Sequence, residues 1–188
     1  MTKEEARIPI HRPGINELMF FLLCGAILSV PLTLFIEQYF ANPLLVGLSP
    51  FTASLISVAV FAPFIEEFSK VFPLFYRHGE TQRSIFNLAL FVGLGFGIFE
   101  FATYVFALGV DPIARLPGLI FHPASTSITA YGIATKNTLP FYLLAVGLHF
   151  SNNIFVTLSP WFPTSVLVVA ATVFISWRLH DKTKEKFI

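Results

Sequence analysis

The sequence predicts an all-α polytopic integral membrane protein with about six transmembrane helices. Of its 188 residues, 55% are hydrophobic and only 12% are charged, and 23 are phenylalanine. Soluble domains contain about 25% charged residues, so this composition excludes an ordinary water-soluble fold. One helical crossing of the bilayer needs about 20 apolar residues, and windows of that length recur along nearly the whole chain.

The predicted helices follow one another with short polar turns between them. They cover residues 15–37, 51–76, 84–109, 113–134, 139–158 and 163–180. We expect a single membrane-embedded domain over 1–188, because no interval between these helices has room for a soluble domain. The apolar run at 18–36 exceeds the core of a signal peptide, about 7 to 15 residues, so we interpret the first helix as retained. Gly93 and Gly97, spaced as a small-xxx-small pair, predict a close neighbour for the third helix.

The distribution of basic residues predicts that both termini are cytoplasmic. With six crossings, ten Lys and Arg side chains fall on the side of the termini, the opposite side receives only Arg115, and Lys70 lies inside the second helix. Basic residues accumulate on the cytoplasmic side of membrane proteins. We expect an integral protein of the plasma membrane of a prokaryote.

Charge and cysteine content exclude several other classes. The net charge of +1 leaves no basic field for nucleic acid. The single cysteine, Cys24, excludes an intramolecular disulfide and a cysteine-based zinc site. The lipid bilayer is the partner that the composition itself implies.

Four ionisable residues fall inside the second and third predicted helices. Glu66, Glu67 and Lys70 lie in the segment FAPFIEEFSK, and Glu100 ends the segment GFGIFE. A charged side chain at a helix centre costs about 2.5 to 3.5 kcal/mol on insertion scales, so these residues are expected to pair or to perform chemistry. Lys70 follows Glu66 by four residues and Glu67 by three, and it can pair with either carboxylate on one helix face.

Further polar residues lie in the next two helices. His122 belongs to the fourth helix, in IFHPASTS, and His149 and Asn153 are four residues apart in LHFSNNIF on the fifth. At 1.5 Å per residue, the antiparallel topology places Glu66, Glu100 and both histidines in one layer, about 15 to 24 Å from the cytoplasmic ends of their helices. Residue types common in catalysis thus converge from four helices, which predicts a functional site.

This set of residues favours hydrolysis. A low-dielectric surrounding disfavours the charged form of a carboxylate, which makes a buried glutamate a usable general base. Histidines can hold and polarise a water molecule, and an asparagine amide can donate to a developing oxyanion. No serine, threonine or cysteine stands at a recognisable spacing from a base, so direct attack by water fits better than a covalent nucleophile.

The order of these segments resembles that of a known family. EEFSK at 66–70, FGIFE at 96–100, His122, and HFSNN at 149–153 resemble the motif series of the PrsW branch of intramembrane proteases, in the superfamily that also contains type II CAAX prenyl proteases and bacteriocin-processing enzymes. The resemblance covers a core of about 60–155. It implies a glutamate-dependent, non-metallo protease without cofactors, which cleaves a peptide bond of a membrane-anchored protein substrate.

The resemblance also implies a role for each residue of the set. Glu66 is similar to the base that activates water, with Glu67 and Lys70 as its supports. His149 is similar to the histidine that positions the water, and Asn153 to the oxyanion donor. His122 matches the family's other histidine and Glu100 the acidic end of the second motif. The lysine at 70, where the CAAX branch has an arginine one residue later, and the glutamate at 100, where it has a histidine, favour the PrsW branch.

Three alternatives remain open from the residues alone. Two histidines with carboxylates can hold a catalytic metal ion in a metal-dependent membrane protease, although HExxH is absent and Lys70 would repel a cation. The same groups could relay protons in a proton-coupled transporter, although the sequence shows no paired repeats. A non-enzymatic scaffold is the third.

Overall fold

Six helices make up the regular structure of the part of the chain that the structure describes. The computed structural model describes residues 12–76, 81–158 and 162–188, and within these ranges it contains no β-strand. The helices are α1 (Ile15–Leu45), α2 (Pro50–Tyr76), α3 (Gln82–Ala107), α4 (Pro112–Ala134), α5 (Thr138–Leu158) and α6 (Phe162–Lys182). The all-α prediction is therefore confirmed.

Only the end of the first helix departs clearly from the predicted bounds. The window of apolar residues placed its end near residue 37, whereas α1 continues through a π-helical turn, Glu37–Ala41, and a 3-10 turn, Asn42–Leu45. The continuation contains polar and aromatic residues that a hydropathy window does not separate from a loop. The helical wall of the bundle is therefore longer at this end than the sequence predicts.

Length and hydropathy identify the bundle as membrane-spanning. Within the described residues, four helical segments are long and apolar enough to cross a bilayer: Ile15–Leu45, Pro50–Tyr76, Gln82–Ala107 and Thr138–Thr157. Their outward faces are apolar; on α1, for example, Phe20, Leu23, Ile27 and Leu34 are each at least half exposed. Such a surface is suited to lipid, and the chain is a polytopic integral membrane protein.

The two ends of the described chain meet at one end of the bundle, beside the start of α3. Arg12 Nε lies 3.4 Å from Glu185 Oε1. The backbone N–H of Gln82 donates to the carbonyl of Lys186 at 3.1 Å, and Thr81 Oγ1 donates to Glu185 Oε2 at 3.0 Å. This arrangement agrees with an even number of crossings. Which membrane face this end occupies stays a prediction from the basic residues.

Helix α3 runs between α1 and α4, and glycines permit the close contact on both sides. A Cβ atom on Gly95 would overlap the carbonyl oxygen of Leu22 on α1. On the opposite face, a Cβ on Gly93 would lie 2.5 Å from the carbonyl oxygen of His122 and 2.6 Å from Pro123 Cα. A Cβ on Gly97 would lie 3.4 Å from the His122 ring. The small-xxx-small prediction is confirmed, and the neighbour is α4.

Several helices contain π-helical turns, in which the hydrogen bonds span five residues. These turns are Gly25–Ser29 and Glu37–Ala41 in α1, Ser57–Phe61 in α2 and Thr103–Ala107 in α3. Turns of this kind are rare and are often found at functional sites. Three of the four contain residues that line the cavity described below, and the fourth, Gly25–Ser29, adjoins Val30, which also lines it.

The substitution Gly93→Ala tests the close contact between α3 and α4. The added methyl meets backbone atoms that cannot rotate away, so we expect a loss of about 1 to 3 kcal/mol in the free energy of unfolding. Thermal unfolding of the detergent-solubilised protein measures this loss.

The matched control is Gly147→Ala on α5. A Cβ there has no heavy atom within 4 Å, and alanine is favoured over glycine in a helix by about 0.5 to 1 kcal/mol, so its unfolding temperature should stay equal or rise. Equal losses in the two variants would contradict the role assigned to Gly93.

Candidate active site

The predicted site residues surround one cavity within the helical bundle. The cavity has a volume of about 370 Å³ and is lined mainly by residues of α1 to α5. Five of the seven predicted residues lie on its wall: Glu66, Glu100, His122, His149 and Asn153. The other two, Glu67 and Lys70, are fully buried and hydrogen-bond to the histidines of the wall.

The buried ammonium of Lys70 binds three acceptors. Its Nζ donates to Glu67 Oε1 at 2.6 Å, to His122 Nδ1 at 3.2 Å and to Ser125 Oγ at 3.2 Å. An ammonium has three N–H groups, so these contacts satisfy it completely. Of the two carboxylates that the spacing allowed, the structure pairs Lys70 with Glu67.

The oxygen Glu67 Oε1 collects donors from three helices. Besides Lys70 on its own helix, it accepts from Ser125 Oγ on α4 at 3.0 Å and from His149 Nδ1 on α5 at 2.8 Å. A carboxylate oxygen that accepts three hydrogen bonds, one from an ammonium, is stabilised in its ionised form. Glu67 therefore connects α2 to both histidine-bearing helices.

Glu66 faces the cavity beside the second nitrogen of His149. Glu66 Oε2 lies 3.7 Å from His149 Nε2, and its side chain is 13% exposed. This oxygen has no hydrogen-bond partner among the described residues. Of the two adjacent glutamates, one is thus held by donors and the other is directed to the cavity without a direct hydrogen bond at this oxygen.

Glu100 is held between a histidine and an arginine. His122 Nε2 hydrogen-bonds to Glu100 Oε2, and Arg115 Nη2 donates to Glu100 Oε1 at 2.7 Å. The guanidinium of Arg115 also stacks on Tyr104, 3.6 Å from the ring centroid. Together with the Lys70 contact, these bonds engage both ring nitrogens of His122.

Two residues of this network have no role in the sequence analysis. Arg115 served there only to assign orientation, and Ser125 was not considered. The sequence contains a feature that could have indicated each residue. Asp111 caps α4 by accepting from the N–H of Ile113 at 2.8 Å, which places Arg115 in the first turns of a helix. Ser125 follows His122 by three residues, so both lie on one helix face. Neither feature names the partner on another helix.

The side chain of Asn153 bridges α5 to α2. Its Nδ2 donates to the carbonyl oxygen of Val58 at 2.9 Å. Within the π-turn, the N–H of Ala62 bonds to Ser57, and the next residue, Pro63, has no N–H, so the Val58 carbonyl lacks a donor from its own helix. Asparagine carries two N–H groups on this atom, which leaves one for a ligand in the cavity.

A metal ion, the alternative left open above, does not fit this donor set. No group of three His, Cys, Asp or Glu side chains within the described residues is arranged to hold one. Both nitrogens of His122 are engaged, and Glu67 Oε1 is bonded to an ammonium. His149 Nε2 and the Glu66 carboxylate lie beside each other unengaged, but no third His, Cys, Asp or Glu ligand is arranged with them among the described residues, one short of the three protein ligands usual in catalytic zinc sites.

Comparison with known proteins gives one match. The model of the family described as PrsW family intramembrane metalloprotease matches residues 14–178. No curated protein and no solved structure matches the chain. The matched region extends from α1 to α6 and includes every residue of the cavity wall. With membrane-spanning helices around a polar cavity and a family match over most of its length, the chain belongs to the PrsW family of intramembrane proteases.

Proposed function

We propose that the chain is a glutamate-dependent, non-metallo intramembrane protease in which Glu66 is the general base. The observation that carries this proposal is the pairing of Glu66 with His149 at the cavity. The oxygen Glu66 Oε2 has no hydrogen-bond partner among the described residues and lies 3.7 Å from His149 Nε2. Water drawn into the cavity would meet two acceptors there, inside a bundle of membrane helices.

Hydrogen bonds determine which nitrogen of His149 is free. Because Glu67 accepts and cannot donate when ionised, the proton of His149 lies on Nδ1, 2.8 Å from Glu67 Oε1. Nε2 then presents a lone pair toward Glu66. By the same reasoning, the ammonium of Lys70 donates to His122 Nδ1, and the His122 proton lies on Nε2, bonded to Glu100. Neutral histidines in these tautomers satisfy every contact.

The reaction follows from these positions. A water molecule donates one hydrogen bond to Glu66 and one to His149 Nε2, and its oxygen attacks the peptide carbonyl while Glu66 takes its proton. The carbonyl oxygen becomes an oxyanion, to which the second N–H of Asn153 donates. Glu66 then returns the proton to the amide nitrogen, the C–N bond breaks, and an acid and an amine are released.

The remaining residues of the set act as supports in this proposal. Glu67 and Lys70 fix the tautomer and orientation of His149, and Glu100 and Arg115 do the same for His122. Both nitrogens of His122 are bonded to Lys70 and Glu100, so a direct contribution of His122 to the activation of water stays a prediction. The substrate is a membrane-anchored protein, because the cavity lies among membrane-spanning helices.

The substitution Glu66→Gln is expected to abolish proteolysis. Glutamine preserves the shape of the side chain but cannot take a proton from water. Peptide N-termini in membranes that contain the wild type are compared with those in membranes that contain an equal amount of the variant. New termini within or beside transmembrane segments should arise only with the wild type.

The matched control for this substitution is Glu185→Gln. Glu185 lies at the end of the bundle near the termini, where its ion pair with Arg12 is exposed, and such pairs contribute about 0 to 1 kcal/mol. This variant should produce the wild-type termini. If the maps of wild type and Glu66→Gln are identical, the proposed base is wrong, and loss of proton flux in proteoliposomes of Glu66→Gln would then favour a transporter.

The Lys70–Glu67 pair gives a second prediction. Lys70→Met leaves an ionised, fully buried Glu67 without its cation, which costs about 3 to 5 kcal/mol for a broken buried pair. Adding Glu67→Gln removes the unpaired charge, so the double variant should unfold at a higher temperature than Lys70→Met alone. A double variant no more stable than the single one would contradict the pairing.

Metal analysis provides the third test. Protein purified, washed with chelator and exchanged into metal-free buffer should still cleave, and its zinc, iron and manganese content should be far below one ion per chain. Cleavage that is lost on chelation and restored by one ion per chain would overturn the non-metallo proposal in favour of the mechanism that the family description names.

A further inference from the structure

Four residues on the cavity wall carry a buried polar atom without a hydrogen-bond partner among the described residues. These atoms are Thr33 Oγ1 on α1, Glu66 Oε2 on α2, Arg115 Nε on α4 and Asn152 Oδ1 on α5. Glu66 has its role in the proposed reaction. The other three atoms belong to three different helices and take part in no step of the proposed reaction; Arg115 supports Glu100 there through Nη2 and leaves Nε free.

Unpartnered polar atoms are costly, so their position around one cavity indicates a ligand. Leaving a buried donor or acceptor unsatisfied costs free energy, and native proteins contain few such groups. The three atoms also differ in kind: Arg115 Nε–H only donates, Asn152 Oδ1 only accepts, and the Thr33 hydroxyl does either. A ligand that satisfies all three offers both hydrogen-bond donors and hydrogen-bond acceptors.

The backbone of an unwound peptide segment has this chemistry. Within a membrane, a helix satisfies its own N–H and C=O groups, and a segment that leaves the helix must find partners in protein because lipid supplies none. Water reaches a scissile carbonyl more readily once that carbonyl is free of its helical hydrogen bond. A substrate that unwinds beside Glu66 therefore needs donors and acceptors on the surrounding wall.

We propose that Thr33, Arg115 and Asn152 form a subsite that hydrogen-bonds the backbone of an unwound transmembrane segment next to the scissile bond. The proposal rests on the proposed protease function and names its substrate class: a transmembrane segment that unwinds locally. Recognition is of the peptide backbone. Side chains near the bond only have to fit a cavity of about 370 Å³.

Small side-chain rotations direct the polar atoms of Thr33 and Asn152 toward a ligand in the cavity. Thr33 is 5% exposed, and a threonine in a helix has two accessible χ1 rotamers, so its hydroxyl can turn toward a ligand. The terminal torsion of an asparagine is likewise broad. Arg115 is held by Glu100 and by Tyr104, so its buried Nε–H keeps one direction and binds a ligand that displaces the groups covering it.

The test compares two threonines that differ in position. Thr33 and Thr129 both have a buried hydroxyl without a partner among the described residues, but only Thr33 lines the cavity. The probe is a synthetic peptide that spans a cleavage site found in the mapping above and that the wild type cleaves. Thr33→Val should raise KM about three- to tenfold, the equivalent of one hydrogen bond, with kcat unchanged. Thr129→Val should match the wild type, and Thr33→Ser, which keeps the hydroxyl, should raise KM less than Thr33→Val does.

A measurement on the substrate keeps the test decisive even if Thr33→Val cannot be purified. Amides within two residues of the scissile bond, but not the scissile amide itself, are replaced by esters one at a time, each of which removes one N–H. At the position bonded to Asn152, the wild type should lose about three- to tenfold in kcat/KM, and Asn152→Leu should lose nothing further.

The results of these experiments distinguish failure of the subsite from failure of the proposed base. Wild-type KM in Thr33→Val together with unimpaired cleavage of all ester peptides would overturn the subsite, as would equal losses in Thr33→Val and Thr129→Val. Cleavage of the same peptide by Glu66→Gln would instead overturn the proposed base and leave the subsite to be decided by the threonine pair.

Discussion

The buried ion pair between Lys70 and Glu67 is the interaction on which the rest of the site depends. Both side chains have no exposure to solvent, and their atoms are 2.6 Å apart. An intact buried pair contributes little net stability, because desolvation offsets the attraction between the charges. The pair instead orients its neighbours. The ammonium and the carboxylate present fixed hydrogen-bond donors and acceptors to α4 and α5, and these contacts align His122 and His149.

A second hydrogen-bonded group, formed by Glu100 and Arg115, is attached to the Lys70–Glu67 pair through His122. Glu100 and Arg115 hold His122 from the side opposite Lys70, so hydrogen bonds connect Arg115, Glu100, His122, Lys70, Glu67 and His149 in sequence. The close packing of α3 against α4 at Gly93 brings Glu100 within reach of His122. The packing of α3 against α4 and the hydrogen bond between Glu100 and His122 therefore depend on each other. A bulkier contact between these two helices would also separate the two side chains.

The sequence predicted the fold better than it predicted the partners within the site. Hydropathy locates helices of a membrane protein because each crossing needs a long apolar run, whereas the polar continuation of α1 beyond Glu37 has no such signature. Spacing along α2 allowed Lys70 to pair with either glutamate. The choice of Glu67 depends on donors from α4 and α5, whose rotation about their own axes a single sequence does not specify.

The cavity and network residues that the sequence did not predict are of types that are common in membrane helices. Hydroxyl and amide side chains such as Ser125, Thr33 and Asn152 ordinarily bond within or between helices, so nothing in the sequence distinguishes a residue that lines a cavity from one that does not. Thr33 and Thr129 illustrate the limit: both have a buried hydroxyl without a hydrogen-bond partner among the residues that the structure describes, and only the three-dimensional arrangement separates them.

The π-turns determine which residues reach the cavity. Val58, Ala62 and Glu66 line it at intervals of four, as do Glu100, Tyr104 and Leu108. In an α-helix, each step of four residues overshoots a full turn by about 40°, and the wider π-turn compensates for this drift, so these rows run straight along the wall. The number of residues in each π-turn is therefore constrained by the position of the cavity-lining residues, just as the residue types are. A chain with one residue fewer between Ser57 and Phe61 would rotate one half of α2 by about 100° against the other, and it would present Val58 or Glu66 to the cavity but not both.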